Sequence, residues 1–183
     1  MPLWGASTSD ESKPKNLTAE EKSRVFADTR GWVITRPDGK EEVLVAIRNL
    51  SGGVDNTEKL AAATITQAYF AANSYSTGTT GSVYVVWNEK VTKSGTPTIV
   101  VTRSDTSATI TATYAAGDDS NKIRFDFTAP STTGITLSIG AQTIGGGYFV
   151  DYGTTDTSDL TIASGNVDAA AVDGGTSVVI TTA

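Results

Sequence analysis

The chain has 183 residues, of which 38% are hydrophobic and 19% charged, a formal net charge of −6, and neither cysteine nor histidine. This composition excludes disulfides, thiol nucleophiles, imidazole bases and the usual zinc sites. The acidic balance argues against binding to nucleic acid or an anionic membrane surface, and no apolar run is long enough to span a bilayer. We therefore expect no catalytic residue, no cofactor and no resident metal ion.

Residues 1–16 predict an extended docking arm. Two prolines and a glycine oppose a helix, and the segment lacks the apolar core of a secretory signal. Leu3 and Trp4 lie at the tip of this polar stretch, and a large aromatic on an arm suits burial in a partner. Lys13 and Lys15 would position the arm on an acidic neighbour. The alternative is a loose tail that folds back on its own chain.

Residues 17–51 predict a helix followed by a β-hairpin. Thr18 and Glu21 have the spacing of a capping box, which predicts a helix over residues 19–27 with Val25 and Phe26 turned inward. Two β-branched runs, Trp32–Thr35 and Val43–Ile47, then flank a Pro-Asp-Gly-Lys turn. Alternate residues of the second run should face opposite ways, with Val43, Val45 and Ile47 on one side.

Residues 52–60 have the composition of a linker, and residues 61–183 predict a β-sandwich. Alternating patterns over 107–114 and 121–128 place Ile123, Phe125 and Phe127 inward, and Trp87 is expected in the core. The predicted strands cover residues 63–70, 82–89, 96–103, 107–114, 121–128, 134–140, 147–153, 159–163 and 176–182. The fold class is thus mainly β: an arm, a short helix and a hairpin precede an antiparallel sandwich of the immunoglobulin-like kind.

Aspartates form the first group of candidate site residues. Asp118 with Asp119, and Asp151 with Asp156 or Asp159, are the carboxylate pairs that an acid–base enzyme would need. They lie in loops rich in Gly, Ser and Thr and not in an apolar cleft that would separate their pKa values, so solvated turns are the favoured interpretation. The oxygen donors of the GDDSN stretch leave calcium open as an alternative, although EF-hand spacing is absent.

Aromatic residues near 148–152 form the second group. Tyr148, Phe149 and Tyr152 could stack on the sugar rings of a glycan, with Asp151 accepting hydrogen bonds from hydroxyls. The favoured alternative is strand packing, because Tyr148, Val150 and Tyr152 share one face of an extended strand.

Two resemblances follow from longer motifs. The first is to the bacterial immunoglobulin-like repeats of surface and adhesion proteins, over about residues 62–130. It rests on the aromatic-x-Glu-x-Val, Gly-Thr-Pro-Thr, Ala-Thr-Tyr and Gly-Asp motifs and a Phe-x-Phe strand, here Glu89, Val91, Gly95–Thr98, Ala112–Tyr114, Gly117–Asp118, Phe125 and Phe127. This resemblance implies the sandwich fold and says little about function.

The second resemblance is to virion structural proteins of marine T4-like phages, cyanophages especially. It spans about the first 50 residues and rests on Met1–Gly5, Lys13–Lys15, Gly31–Trp32, Asp38–Gly39 and Glu42–Ile47. It implies a component of the virion capsid surface, made in the host cytoplasm, whose partner is the major capsid protein or another virion protein.

These resemblances lead us to expect a capsid decoration protein that attaches through its N-terminal part and displays the sandwich. Self-association on the particle and contact with host-surface glycans are further expected interactions. The alternatives are a neck, tail or fibre component with a spacer or glycan-binding domain, and a cell-surface adhesion module. An enzyme is the least favoured class.

Overall fold

A computed structural model describes Pro14, residues 17–51, Leu60, and residues 62–153, 155–167 and 175–182. The chain is mainly β, as predicted, with one short helix and thirteen strands in the described part. The predicted linker, apart from Leu60, lies outside the described residues.

The N-terminal helix is shorter than predicted. Helix α1 covers Ala19–Lys22, and its capping box is confirmed: the Glu21 N–H donates to the Thr18 hydroxyl (3.2 Å) and the Thr18 N–H donates to the Glu21 carboxylate (3.0 Å). The predicted extension to residue 27 is wrong, since Val25–Asp28 forms strand β1. Pairing with β2 overrides the helix because it satisfies the backbone of these residues and buries Val25 and Phe26.

The predicted hairpin is present, with one error in its facing pattern. Strand β2 is Gly31–Thr35 and β3 is Glu41–Ala46, joined by a turn in which Gly39 has a φ of +82°. A bulge leaves Leu44 unpaired in β3, since Trp32 lies opposite Val45 and Val33 opposite Val43. The extra residue turns Val43 away from Val45, and Val43 is exposed.

The N-terminal part has its own small hydrophobic cluster. Trp32 is fully buried there, together with Leu50 and Leu60. The remaining buried members come from β1 and β2: Val25, Ala27 and Ile34.

The β-rich part contains the other ten strands and a 3₁₀ turn at Ser164–Asn166. All nine predicted strands overlap observed ones, whereas β5 and β10 were not predicted. In chain order the strands are β4 Ile65–Phe70, β5 Ser74–Ser76, β6 Thr80–Arg103, β7 Thr109–Ala116, β8 Ser120–Thr128, β9 Thr136–Ser138, β10 Gln142–Thr143, β11 Gly145–Asp151, β12 Thr161–Ile162 and β13 Ser177–Thr181.

Strand β6 is the strand to which most others of the β-rich part pair. It is long because it spans two of the predicted strands, residues 82–89 and 96–103. Its first half pairs with β4 and β8, and its second half pairs with β7, β9 and β11. Strands β7 and β8 also pair with each other, so the sheet folds back on itself around a single core. The predicted break over residues 90–95 is instead part of the strand, in which Gly95 has a φ of +74°.

The core of the β-rich part confirms the alternation read from the sequence. Ile123, Phe125 and Phe127 are buried, and Trp87 packs against Phe149 with ring centroids 4.9 Å apart. The sheet is mixed and not wholly antiparallel, since β1 runs parallel to β6 and β13 runs parallel to β5. These parallel contacts join strands that are distant in sequence, where no hairpin imposes an antiparallel direction.

Candidate functional site

Four predicted site residues cannot be placed. Leu3, Trp4, Lys13 and Lys15 lie outside the described residues, so the arm stays a sequence-based prediction. No helix in the described ranges is long and apolar enough to cross a membrane.

The middle of β6, residues 88–93, is where the N-terminal part meets the β-rich part. Glu89 is buried, pairs in parallel with Ala27, and accepts a hydrogen bond from the Ser51 hydroxyl. The next residue, Lys90, donates to the Glu41 carboxylate at 3.0 Å, and its ammonium lies 4.6 Å from the centre of the Phe26 ring. Charged and polar contacts therefore supplement strand pairing at this junction.

An ion network continues from Lys90 into the hairpin. Arg30 contacts the carboxylate of Glu41 and also that of Asp28, at 2.6 Å. The hydrogen bond from Arg30, followed by that from Lys90, holds the pKa of Glu41 below its ordinary value of 4.5. The hydrogen bonds from Arg30 to the carboxylates of Asp28 and Glu41 raise the pKa of Arg30 above its ordinary value.

The Glu41 contact predicts a pH-dependent junction. A lowered folded-state pKa means that ionised Glu41 stabilises the fold fully above its unfolded pKa, and that this contribution is lost as the pH falls from about 4.5. A double-mutant cycle of Glu41→Gln and Lys90→Met, measured by urea unfolding, should give a coupling of about 0.5–1 kcal/mol at neutral pH, because both side chains are partly exposed. The coupling should shrink at pH 3, and an equal coupling at both pH values would contradict the assignment.

The acidic turn between β7 and β8 is attached to the same part of β6. The Lys93 N–H donates to Asp118 and the Thr92 hydroxyl donates to Asp119, both at 2.7 Å. Asp118 and Asp119 are exposed, and Asp119 has a φ of +56°. Each carboxylate thus already accepts a hydrogen bond that ties the turn to β6. Among the described residues, no group of three or more acidic, His or Cys side chains could hold a metal ion.

Asp151 contradicts the prediction of a solvated turn. It is the last residue of β11, it is only 7% exposed, and one carboxylate oxygen accepts from the Ala63 N–H (2.9 Å) and from the Ser158 hydroxyl (2.8 Å). A buried carboxylate bonded to a backbone N–H and a hydroxyl is a structural latch between three chain segments. Asp151 is therefore not available in this structure to accept hydrogen bonds from the hydroxyls of a glycan.

The aromatic residues of β11 and of the turn that follows it divide between a buried side and an exposed side. Phe149 is fully buried against Trp87 and belongs to the core, so it is removed from the candidate glycan contacts. Tyr148 and Tyr152 are 46% and 52% exposed. Val150 lies between them in sequence, and its outward side forms an open groove with Tyr148, Thr155 and Thr157. We call Tyr148, Val150, Thr155 and Thr157 the tyrosine groove. The exposed Tyr152 directly follows β11 and is not one of the residues that line this groove.

Sequence reasoning missed the junction residues Glu41 and Lys90. They lie 49 positions apart, and each resembles an ordinary exposed charge on a strand. No local pattern predicts such a pair, because it depends on β1 adding to β6 in parallel.

Comparison of the chain with models of protein families, with curated proteins and with solved structures returned no match. The class that the fold supports is a mainly β protein.

Proposed function

We propose that this chain is a virion structural protein, and specifically a capsid decoration protein that attaches through its N-terminal part and displays its β-rich part. The observation that carries the proposal is the division of the described chain into two hydrophobic clusters, one N-terminal and one in the β-rich part. Such a division suits one part for attachment and the other for display. The resemblance of the first 50 residues to phage virion proteins supports the same role.

The polar junction at residues 88–93 supports this division of roles. The Lys90–Glu41 contact and the Ser51–Glu89 contact fix the N-terminal part against β6 without merging the two cores. An attachment unit held in this way would keep the displayed part in a defined orientation. Many copies on one lattice would gain from multivalency and would stabilise the assembled shell by mass action.

The second candidate is a neck, tail or fibre component. The exposed Tyr148 on β11 and Tyr152 just after it support this alternative, because a ligand-binding surface suits a tail tip. Quantitative gel analysis of purified particles distinguishes the two roles. Decoration predicts hundreds of copies per particle, whereas a neck or tail component predicts only the copies of a few rings.

The arm provides the direct test of attachment. Burying the ring of Trp4 would remove roughly 150–250 Å² from water, or about 4–6 kcal/mol at 25 cal/mol per Å² before the cost of ordering the arm. We expect Trp4→Ala to lower occupancy on particles and deletion of residues 2–16 to abolish binding. Occupancy is measured by co-sedimentation of purified protein with undecorated particles.

Tyr148→Ala is the matched control, because it removes an exposed aromatic residue far along the chain from the arm. It should bind particles as well as the intact chain. If the chain without residues 2–16 melts normally and decorates particles fully, the arm is not the anchor and attachment belongs to the hairpin or the β-rich part.

A further inference from the structure

We infer that the tyrosine groove binds a neutral oligosaccharide. The groove lies on the outward face of β11, opposite the face that carries Phe149 and Asp151 into the protein. This inference deepens the proposed function, since it names a ligand for the displayed part. It rests on that function only for its biological setting, because binding is measured on the isolated protein.

The groove is held rigidly from beneath. Phe149 is fixed in the core against Trp87, and Asp151 is latched to Ala63 and Ser158. The opposite wall is fixed by the backbone, since the Ser158 N–H donates to the Phe149 carbonyl at 2.9 Å and the Asp151 N–H donates to that of residue 156 at 2.9 Å. Side chains that are placed in advance lose little conformational entropy when a ligand binds.

The two exposed rings have the chemistry that a sugar requires. Tyr148 and Tyr152 leave about half of each side chain in contact with water, and neither hydroxyl has a hydrogen-bond partner in the described part of the chain. A tyrosine therefore offers an apolar ring face and a free polar group at its edge. A pyranose ring is complementary, because it has a face of C–H groups and a rim of hydroxyls.

The walls of the groove argue for a neutral ligand. Thr155, Thr157 and Val150 complete the described lining with Tyr148, and none of these four side chains is charged. Asp156, between the two threonines in sequence, is exposed and acidic, which disfavours an anionic ligand. An anionic sugar or a phosphate would find no cationic partner among these residues. A lipid would need a deeper and more enclosed apolar cavity than this open groove.

The spacing of the tyrosines indicates a chain of sugars and not a single unit. Tyr148 and Tyr152 are four residues apart, and the Tyr152 N–H continues the ladder by donating to the Lys90 carbonyl at 2.9 Å. Tyr152 is the first residue after β11, so at about 3.3 Å per residue the two backbones are at most roughly 13 Å apart. This distance exceeds the width of one pyranose ring, so the two tyrosines would stack on different units of the same chain.

The test is a titration of the isotope-labelled full chain with maltohexaose, cellohexaose and chitohexaose, followed by NMR. We expect at least one hexasaccharide to shift the signals of residues 148–157, and glucose to bind at least roughly tenfold more weakly. Tyr148→Ala and Tyr152→Ala should each weaken binding by about tenfold or more, whereas Tyr148→Phe should keep most of the affinity because it keeps the ring. Val179→Ala is the matched control, since Val179 is equally exposed on β13 and should not alter binding.

Several outcomes would overturn the inference. The first is the absence of binding of every hexasaccharide up to about 10 mM, a concentration well above a dissociation constant of roughly 1 mM, which is already weak. The second is binding that survives both alanine substitutions. Equal binding of hexagalacturonate with the same tyrosine dependence would overturn the assignment of a neutral ligand. Tyr148-dependent capture of a peptide or protein in place of a sugar would also overturn it. Particle occupancy of the tyrosine variants is measured separately. If no oligosaccharide binds, the proposal of a virion protein is still tested by the co-sedimentation experiment.

Discussion

Replacing Phe149 by alanine should lower the free energy of unfolding by about 3–5 kcal/mol. The ring is fully buried, and its centre lies 4.9 Å from that of Trp87 in the core of the β-rich part. Removing it leaves a cavity in the core beside Trp87, and β11 cannot simply collapse into that cavity because it is paired with β6 from Val91 to Thr98. Urea unfolding followed by tryptophan fluorescence measures the loss, because Trp87 is next to the new cavity.

The neighbouring residue provides the matched control for this prediction. Tyr148→Ala removes an equally large ring from the adjacent position, but that ring points outward, so the change should be within about 0.5 kcal/mol. A shift of one residue in the register of β11 would exchange the two faces. A reversal of the two costs, with Tyr148→Ala the more destabilising, would therefore show that β11 is paired in a register shifted by one residue.

Replacing Asp151 by alanine should cost about 2–4 kcal/mol. The substitution leaves the Ala63 N–H and the Ser158 hydroxyl without their acceptor, and each unsatisfied buried donor costs about 1–3 kcal/mol. Asp151→Asn should cost less, because an amide oxygen can still accept both hydrogen bonds. Thermal and urea unfolding of the full chain measure both variants.

Asp156→Ala is the control for the Asp151 prediction. Asp156 is an exposed aspartate five residues away, and its backbone carbonyl, which accepts from the Asp151 N–H, remains in the variant. Its substitution should therefore change stability little. If Asp151→Ala is as mild as Asp156→Ala, Asp151 is not a latch and the original interpretation as a surface carboxylate is correct.

The two β11 predictions also separate stability from binding. The side chains of Phe149 and Asp151 are buried, so their loss should lower the free energy of unfolding. It should weaken ligand binding only where the protein is partly unfolded. Tyr148 and Tyr152 act outward, so their loss should remove oligosaccharide binding from a normally stable protein. A variant that lost both properties on substitution of an outward residue would contradict this division.

Several features of the fold could be predicted from the sequence because their signals are local. The capping box needs only Thr18 and Glu21, and the hairpin turn needs only Asp38 and Gly39. The burial of Ile123 and Phe125 follows from strict alternation along one strand. Each of these signals lies within a few residues, so the mainly β class and most strands could be predicted without the tertiary structure.

Other features were decided only by the tertiary structure, because they depend on which segments become neighbours. Val25 lies in a strand and not a helix since β2 and β6 are there to pair with β1. The two strands predicted around Gly95 merge since β11 pairs across the predicted break. Alternation placed Tyr148 and Tyr152 on one face of the strand, but the favoured packing of that face was wrong, since both are exposed. The latching of Asp151 to Ala63, 88 positions away, was not predicted either. Local patterns determine the elements and their faces, whereas long-range pairing determines which faces are covered and which remain to bind a ligand.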